Sequence, residues 1–327
     1  MLSKSESHTS WQDSVISSTW LTYILEEWTG VEYHCLYYIS FILWVLSIII
    51  FAPLLIFIST SCFLNLLLHI YKRKNGLDED FSNNLLYHRL TGIKLVLKLL
   101  FFVLLTGYEL HGMEKIPEGP GLIVYYHGAI PVDYCNFVCN LYIQTGRLCY
   151  SIVDHFFSRL PGKVFFIINK RVMHSGRDES VEILKKGNLL GVSPGGGREA
   201  FFSDENYNLL WGNRKGFAQV AIDAKVPIIP LFTQNIREGY RTFGKIGLFR
   251  WFYEHSRLLL IPGYGGFPVK LRAYVGDPIP YDPNITATEL VEKTKVALEM
   301  LRDRHQKLPG SILRALLERF DKPQKED

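Results

Sequence analysis

Two residues suggest a chemistry before any other part of the chain does. In Val124-Tyr-Tyr-His127-Gly-Ala-Ile-Pro-Val-Asp133, an apolar run of β-forming residues breaks at His127-Gly128, and Pro131 restarts the chain at what reads as a helix N-terminus. A histidine where a strand gives way to a helix, with a carboxylate about a turn away, can take the proton from a hydroxyl as a general base. The plainer reading is a loop histidine beside a first-turn carboxylate that suits the helix dipole. These two residues alone do not choose between them.

Two further stretches bear on that choice. Ser193-Pro194-Gly195-Gly196-Gly197-Arg198-Glu199 follows an apolar strand, and its three glycines let backbone N–H groups approach an anion or a developing oxyanion. Arg198 and Glu199 add a charged pair in or beside the turn; an exposed pair of this kind contributes little on its own. Gly191-Val-Ser193-Pro-Gly195 also fits the nucleophile elbow of serine hydrolases, which takes part of its oxyanion hole from the N–H after the serine. That residue is Pro194, which has no N–H. In Asn213-Arg214-Lys215-Gly216-Phe217, two cations stand at a helix start, against the dipole preference, which makes sense if they face a phosphate. An exposed basic turn is the competing reading.

From about Met113 onward, short β-rich runs alternate with helical ones. The expected strands are Gly121–Tyr126, Leu148–Val153, Val164–Ile168, Leu189–Ser193, Val226–Phe232 and Val269–Val275. The expected helices are Pro131–Ile143, Glu179–Lys186, Lys215–Ala224 and Thr288–Arg304, the last opened by Thr286 and Glu289 in capping-box register. This alternation predicts an α/β domain with a mostly parallel sheet flanked by helices. The region between Gly239 and Phe267 is rich in aromatics and arginine and reads as a lid on the core or a surface that lies on lipid. A tail helix, Ser311–Phe320, puts Leu313, Leu316, Leu317 and Phe320 on one side, to dock on the core, the expected partner, or on the membrane.

The N-terminal third has a different character. Residues 1–32 are polar; from Tyr33 to Tyr71 there is no Asp, Glu, Lys or Arg. As a helix, Leu36 to Ile70 would be roughly 52 Å long, well beyond the ~30 Å hydrocarbon core, with Pro53 near its middle. Residues 33–71 therefore read as one tilted span or a Pro-kinked membrane hairpin. Lys72-Arg73-Lys74 follows at once, which puts the remainder on the cytosolic side. Residues 72–112 form a juxtamembrane segment whose run Ile93–Tyr108 reads as an interfacial helix with snorkelling Lys94 and Lys98. Residues 113–327 make up the α/β domain. A net charge of +4 gives no case for nucleic acid. The five cysteines lack zinc-type spacing and suit a reducing compartment; no metal is called for.

Taken in order, the His-Asp block, the glycine turn with its arginine and the strand Val226-Pro-Ile-Ile-Pro230 resemble the glycerolipid acyltransferase superfamily. The family's first block separates His and Asp by four residues, where His127 and Asp133 have five between them. Its third, Pro-Glu-Gly-Thr-Arg, is matched by Pro194 to Arg198 with Gly195 in place of the glutamate. Its second, an apolar run ending in arginine, is matched by Ile167 to Arg171. Gly-Gly-x-Arg-Glu-Ala and Arg-Lys-Gly-Phe resemble most the monoacylglycerol and diacylglycerol acyltransferase branch and the plant phytyl ester synthases.

The resemblance implies a membrane-bound enzyme of the endoplasmic reticulum, its catalytic domain facing the cytosol, that acylates mono- or diacylglycerol to give triacylglycerol. His127 would be the base and Asp133 its orienting partner. Gly195, Gly196, Gly197, Arg198, Glu199, Arg171, Arg214 and Lys215 would bind substrate or donor. The partners implied are membrane lipids, an activated acyl donor such as acyl-CoA and a glycerolipid acceptor, with no cofactor besides. Three alternatives remain at this point: a phospholipid-forming acyltransferase, a serine lipid hydrolase acting through Ser193, and a non-catalytic membrane scaffold.

Overall fold

The structure is a computed structural model that describes residues 107–147, 149–152, 172–173, 176–256 and 263–320, together with 37–48 and the single positions 27, 59 and 70. The chain divides into two compact units, Met1–Pro53 and Leu54–Asp327. In the first, residues 37–48 are helical, with large exposed side chains such as Tyr38, Leu43 and Trp44. No helix among the described residues is long and apolar enough to cross a membrane. Most of the expected membrane segment, the interfacial helix up to residue 106, the strand Val164–Ile168 and Arg171 lie outside the described residues.

The second unit is built on a seven-stranded sheet. In chain order its described elements are β1 (Glu109–His111), β2 (Gly121–Tyr125), α1 (Val132–Thr145), β3 (Cys149–Ile152), β4 (Val172–Met173), α2 (Arg177–Lys185), β5 (Leu189–Val192), α3 (Gly196–Phe202), α4 (Gly216–Ala224), β6 (Ile228–Gln234), α5 (Ile236–Gly239), β7 (Tyr240–Thr242), α6 (Gly247–Ser256), β8 (Gly263–Gly265), β9 (Arg272–Val275), α7 (Ala287–His305) and α8 (Ile312–Leu317). The strands lie side by side as β1-β9-β6-β2-β5-β3-β4, and β7 with β8 forms a separate ribbon. Every pairing in the large sheet is parallel except β6 with β9.

The central strands explain themselves. β2 (Gly-Leu-Ile-Val-Tyr) and β6 (Ile-Ile-Pro-Leu-Phe-Thr-Gln) are buried along their whole length, so both carry apolar runs rather than an alternating pattern, and β6 turns polar only at Thr233 and Gln234. Leu122 pairs with Leu190 on one side and Ile228 on the other, which fixes the ends of β5, β2 and β6 close together. The capping box predicted for α7 is present: the Glu289 N–H donates to Thr286 Oγ1, and the Thr286 N–H to the Glu289 carboxylate.

Two expectations need correction. β1 pairs with β9, so the α/β domain starts by Gly107 rather than at 113. The tail docks through Ala315 and Leu316, while Leu313, Leu317 and Phe320 are exposed at 68%, 61% and 84%. Leucine periodicity marks an apolar face, but a short helix turned by its Ser311 cap puts the small Ala315 inward instead. In the Gly239–Phe267 region α6 has two faces: Tyr253 packs edge-on against Phe202 at 5.2 Å between ring centroids, whereas Leu248 and Trp251 are 68% and 57% exposed.

Candidate active site

Three loops leave the carboxyl ends of the adjacent parallel strands β5, β2 and β6, where open α/β sheets place their ligand sites. His127 follows β2, the Ser193–Gly197 turn follows β5, and Arg237 follows β6. The His127 loop has little room. A Cβ on Gly128 would sit 2.4 Å from Ile236 Cγ1, so only glycine lets the loop pass α5 at this distance.

His127 is half-buried, and its Nδ1 lies 2.6 Å from the Gly128 carbonyl oxygen. A carbonyl can only accept, so Nδ1 carries the proton and Nε2 keeps the lone pair. Burial holds the imidazole down at about 4, so it is neutral at physiological pH. Nε2 is therefore in the form a general base requires.

Asp133 is in the first turn of α1, and it is not what orients the imidazole here. The Gly128 carbonyl takes that place, while Asp133 Oδ1 is buried without a hydrogen-bond partner. The extra residue in this block fits the difference: Ile130 and Pro131 form a tight turn, with the Val132 N–H donating to the Ile130 carbonyl, before the helix begins. Burial pushes the Asp133 carboxyl up to about 6. The Thr233 hydroxyl lies close enough to pull against that rise, yet its own oxygen is also without hydrogen-bond geometry.

The glycine turn brings Glu199 inside. Its carboxylate accepts the His127 N–H at 2.9 Å and the Leu210 N–H at 3.1 Å, one on each oxygen. Glu199 is fully buried, and burial raises its carboxyl to about 7. It was expected to bind donor from an exposed turn; instead it touches the backbone of the histidine. Within the turn, the Gly196 N–H donates to the Ser193 carbonyl at 3.2 Å and is committed there. Arg198 is exposed.

The two cations before α4 part company. Arg214 Nη1 donates to the carbonyls of Pro194 and Gly195, at 2.7 and 2.8 Å, and so ties its loop to the glycine turn. Lys215 Nζ donates to Thr288 Oγ1 at the start of α7. The helix-dipole argument read them as a pair, but neighbouring residues on a loop point different ways. Ser193 Oγ is 3.5 Å from Glu199 Oε2 and precedes Pro194, which offers no N–H.

A family model described as Acyltransferase matches residues 107–234, which contain His127, Asp133 and the glycine turn. The chain is 51% identical over 331 residues to a mouse protein named "DGAT1/2-independent enzyme synthesizing storage lipids", covering 99% of both. Proteins of the same name from chicken (53% identical, all of both chains) and human (51% identical, 98% of this chain and all of that one) are equally similar. The chain belongs to the acyltransferase family. A crystal structure of the 1-acyl-sn-glycerophosphate (LPA) acyltransferase from Thermotoga maritima aligns with a TM-score of 0.45 at 16% identity, covering 76% of this chain and 95% of that one.

This acyltransferase has one further residue at the site that sequence reasoning passed over. Arg237, 1% exposed, reaches back from α5 under the loop after β2. Its Nε donates to Tyr126 Oη at 2.8 Å, Nη1 to the Ala200 carbonyl at 2.8 Å, and Nη2 to the carbonyls of His127, at 3.0 Å, and Glu199. The available signal was weak: an Arg-Glu pair separated by two residues from a buried strand reads as a solvated turn, although it stands at a carboxyl end beside β2.

Proposed function

We propose that the protein is a membrane-bound O-acyltransferase that acylates mono- or diacylglycerol to form triacylglycerol, with His127 as the general base. The observation that supports this reading best is the commitment of His127 Nδ1 to the Gly128 carbonyl, which leaves a neutral Nε2 to take a proton. In the reaction the acceptor hydroxyl gives its proton to Nε2 as its oxygen attacks the acyl carbonyl. The tetrahedral oxyanion then collapses, the donor's thiolate or alkoxide leaves, and the imidazolium returns the proton to it. Negative charge developing beside the ring raises its basicity as the attack proceeds. Asp133, whose buried Oδ1 has no hydrogen-bond partner, would stabilise the imidazolium through space.

Gly197 and Arg198 at the start of α3 would meet the anionic parts of the reaction, and Arg214 holds the turn in shape. An activated acyl group, from acyl-CoA or a phospholipid, is the second substrate. The names of the mouse, chicken and human relatives support a storage lipid, and so a neutral one, as product. The reaction runs at the endoplasmic reticulum membrane with the catalytic domain in the cytosol, as the cluster Lys72-Arg73-Lys74 directs.

A lipid product assay of the wild type against His127→Ala tests the reading, with monoacylglycerol, diacylglycerol and lysophosphatidate offered in turn with acyl-CoA. Loss of about 10²–10⁴ in turnover is expected, with acylation of the neutral acceptors in the wild type. Turnover within a few-fold of wild type in His127→Ala would exclude the base, and acylation of lysophosphatidate alone would make this a phospholipid-forming enzyme. Glycan attached at Asn284, in Asn284-Ile285-Thr286, would place the domain in the lumen.

A further inference from the structure

We propose that Arg237 and Glu199 are positioning residues that fix the catalytic base by gripping opposite ends of its own backbone. The proposal rests on His127 being the base. Both residues are buried to within 1% of completely, and each makes its contact with His127 through the peptide rather than the ring. The Glu199 carboxylate takes the His127 N–H at 2.9 Å, and the Arg237 guanidinium donates to the His127 carbonyl at 3.0 Å.

Neither grip floats. The second Glu199 oxygen is pinned by the Leu210 N–H, and the rest of the Arg237 fork is spread over Tyr126 Oη and the carbonyls of Glu199 and Ala200. Tyr126 Oη is in turn 2.6 Å from Ser203 Oγ, past the end of α3. The loop after β2 is thus joined to α3 and α5 by one network, and the anion and the cation neutralise each other across the residue they hold.

Physical chemistry favours a functional reason for this arrangement. Two buried charges are expensive, and well-packed apolar residues stabilise a fold as well or better. Arg is the side chain whose planar fork can serve several fixed acceptors at once; a lysine in its place keeps the charge but not the fork. The network fixes the position of His127 Cα from both sides, and the Nδ1 contact with Gly128 then fixes the ring. A misplacement of about 1 Å in a reacting group can cost about 10² in rate.

The test uses the full-length protein in microsomal membranes, with kcat and KM for the acyl donor and diacylglycerol and the thermal unfolding midpoint measured side by side. Arg237→Lys is expected to lower kcat by about 10- to 100-fold with KM within about threefold. Arg237→Gln alone leaves the Glu199 carboxylate buried without its opposing charge and should lower the midpoint above about pH 7, where that carboxyl is ionised. The double variant Glu199→Gln/Arg237→Gln removes both charges, so its midpoint should recover toward wild type while kcat stays at least about tenfold low. Activity that recovers together with stability would show the pair to be structural only and overturn the proposal.

If the single variants fail to accumulate, Tyr126→Phe removes just the oxygen that holds Arg237 Nε. It should reduce kcat a few-fold with KM unchanged, alongside a small fall in the midpoint from the unpaired Arg237 Nε; wild-type kcat in Tyr126→Phe would overturn the proposal. His127→Ala is run in parallel. An active His127→Ala removes the base and the proposal with it, whereas an inactive one beside a fully active Arg237→Lys overturns the positioning role alone.

Discussion

Glu199 occupies the space into which a side chain at Gly195 would grow. A Cβ built on Gly195 would stand 2.4 Å from Glu199 Cβ and Cδ and 2.6 Å from Oε2. Gly195 is the position where the resembling family's third block has its glutamate. The acid has therefore moved four residues along the chain and one helical turn back in space, and its carboxylate lies over the residue it replaces. The block keeps its acid, but the acid faces inward to the His127 and Leu210 N–H groups.

Gly195→Ala should accordingly behave as an active-site substitution. Gly195 has an ordinary helical φ of −67°, so backbone strain is not the issue; the methyl meets atoms close to the main chain of α3 that cannot swing away. Overpacking of this kind is destabilising by about 1–3 kcal/mol, and relief would have to come from displacing the Glu199 carboxylate. The expected outcome is a lowered unfolding midpoint together with a kcat loss larger than in a control such as Thr286→Ala. That control loses only a helix cap worth about 1 kcal/mol on α7. Equal effects on kcat would show that Glu199 keeps its seat.

Much of this fold was legible because its central strands are buried on both faces. β2, β5 and β6 announce themselves as apolar runs, and the helices between them carry clear apolar faces or caps. The three-residue strands β1, β7 and β8 were not legible, since they are held by neighbours distant in sequence: Glu109 pairs with Arg272, and Tyr240 with Gly265. α3 was hidden for another reason. It opens with Gly196-Gly197, which read as a turn, and is helical because Glu199 and Ala200 are anchored in the core. At the site, spacing singled out His127, which the structure places in the loop after β2. It gave no sign that Glu199 turns inward or that Arg237 arrives from the next strand, because both depend on which side chains the sheet brings face to face.

Asp133 combines burial with an unpartnered oxygen, so its removal should help the fold and harm the enzyme. A buried carboxylate oxygen without a partner is unfavourable, and one that persists in a site suggests a use for its charge. Asp133→Asn keeps the shape and removes the charge, and its amide can donate to the unpaired Thr233 hydroxyl. The unfolding midpoint should rise while kcat falls by at least about tenfold through loss of imidazolium stabilisation. A variant that is both more stable and fully active would leave Asp133 without a catalytic part.

Ser193 separates acyl transfer from hydrolysis. Its hydroxyl makes one long contact, 3.5 Å to Glu199 Oε2, and the N–H an elbow would need after it is absent in Pro194. Ser193→Ala should therefore retain triacylglycerol formation within about threefold. A loss of three or more orders of magnitude, with a covalent acyl-enzyme trapped in the wild type, would make the serine a nucleophile, and release of free fatty acid from that acyl-enzyme in place of triacylglycerol would make the enzyme a hydrolase.

The pH dependence should be set by Glu199 rather than by the base. His127, held down at about 4, is neutral across the physiological range and would by itself put the acid limb of the rate near pH 4. Glu199, raised by burial to about 7, must be ionised for both oxygens to accept N–H groups. Turnover should thus fall as pH drops through 7, with a further loss near 6 as Asp133 takes up a proton. Stability should run the other way. The folded carboxyl of Glu199 keeps its proton up to about 7, while the unfolded one releases it near 4.5, so folding takes up a proton between those values. The stabilisation is complete below about pH 4.5 and is lost as pH rises through 7. His127 opposes this trend, gaining stability as pH rises from about 4 to 6.5, and adds nothing above that. Between pH 6.5 and 8, then, the wild-type unfolding midpoint should decline while turnover climbs, and Glu199→Gln should flatten both curves over that interval. An acid limb near pH 4 to 5 in the wild type would show that Glu199 does not need its charge to hold the histidine.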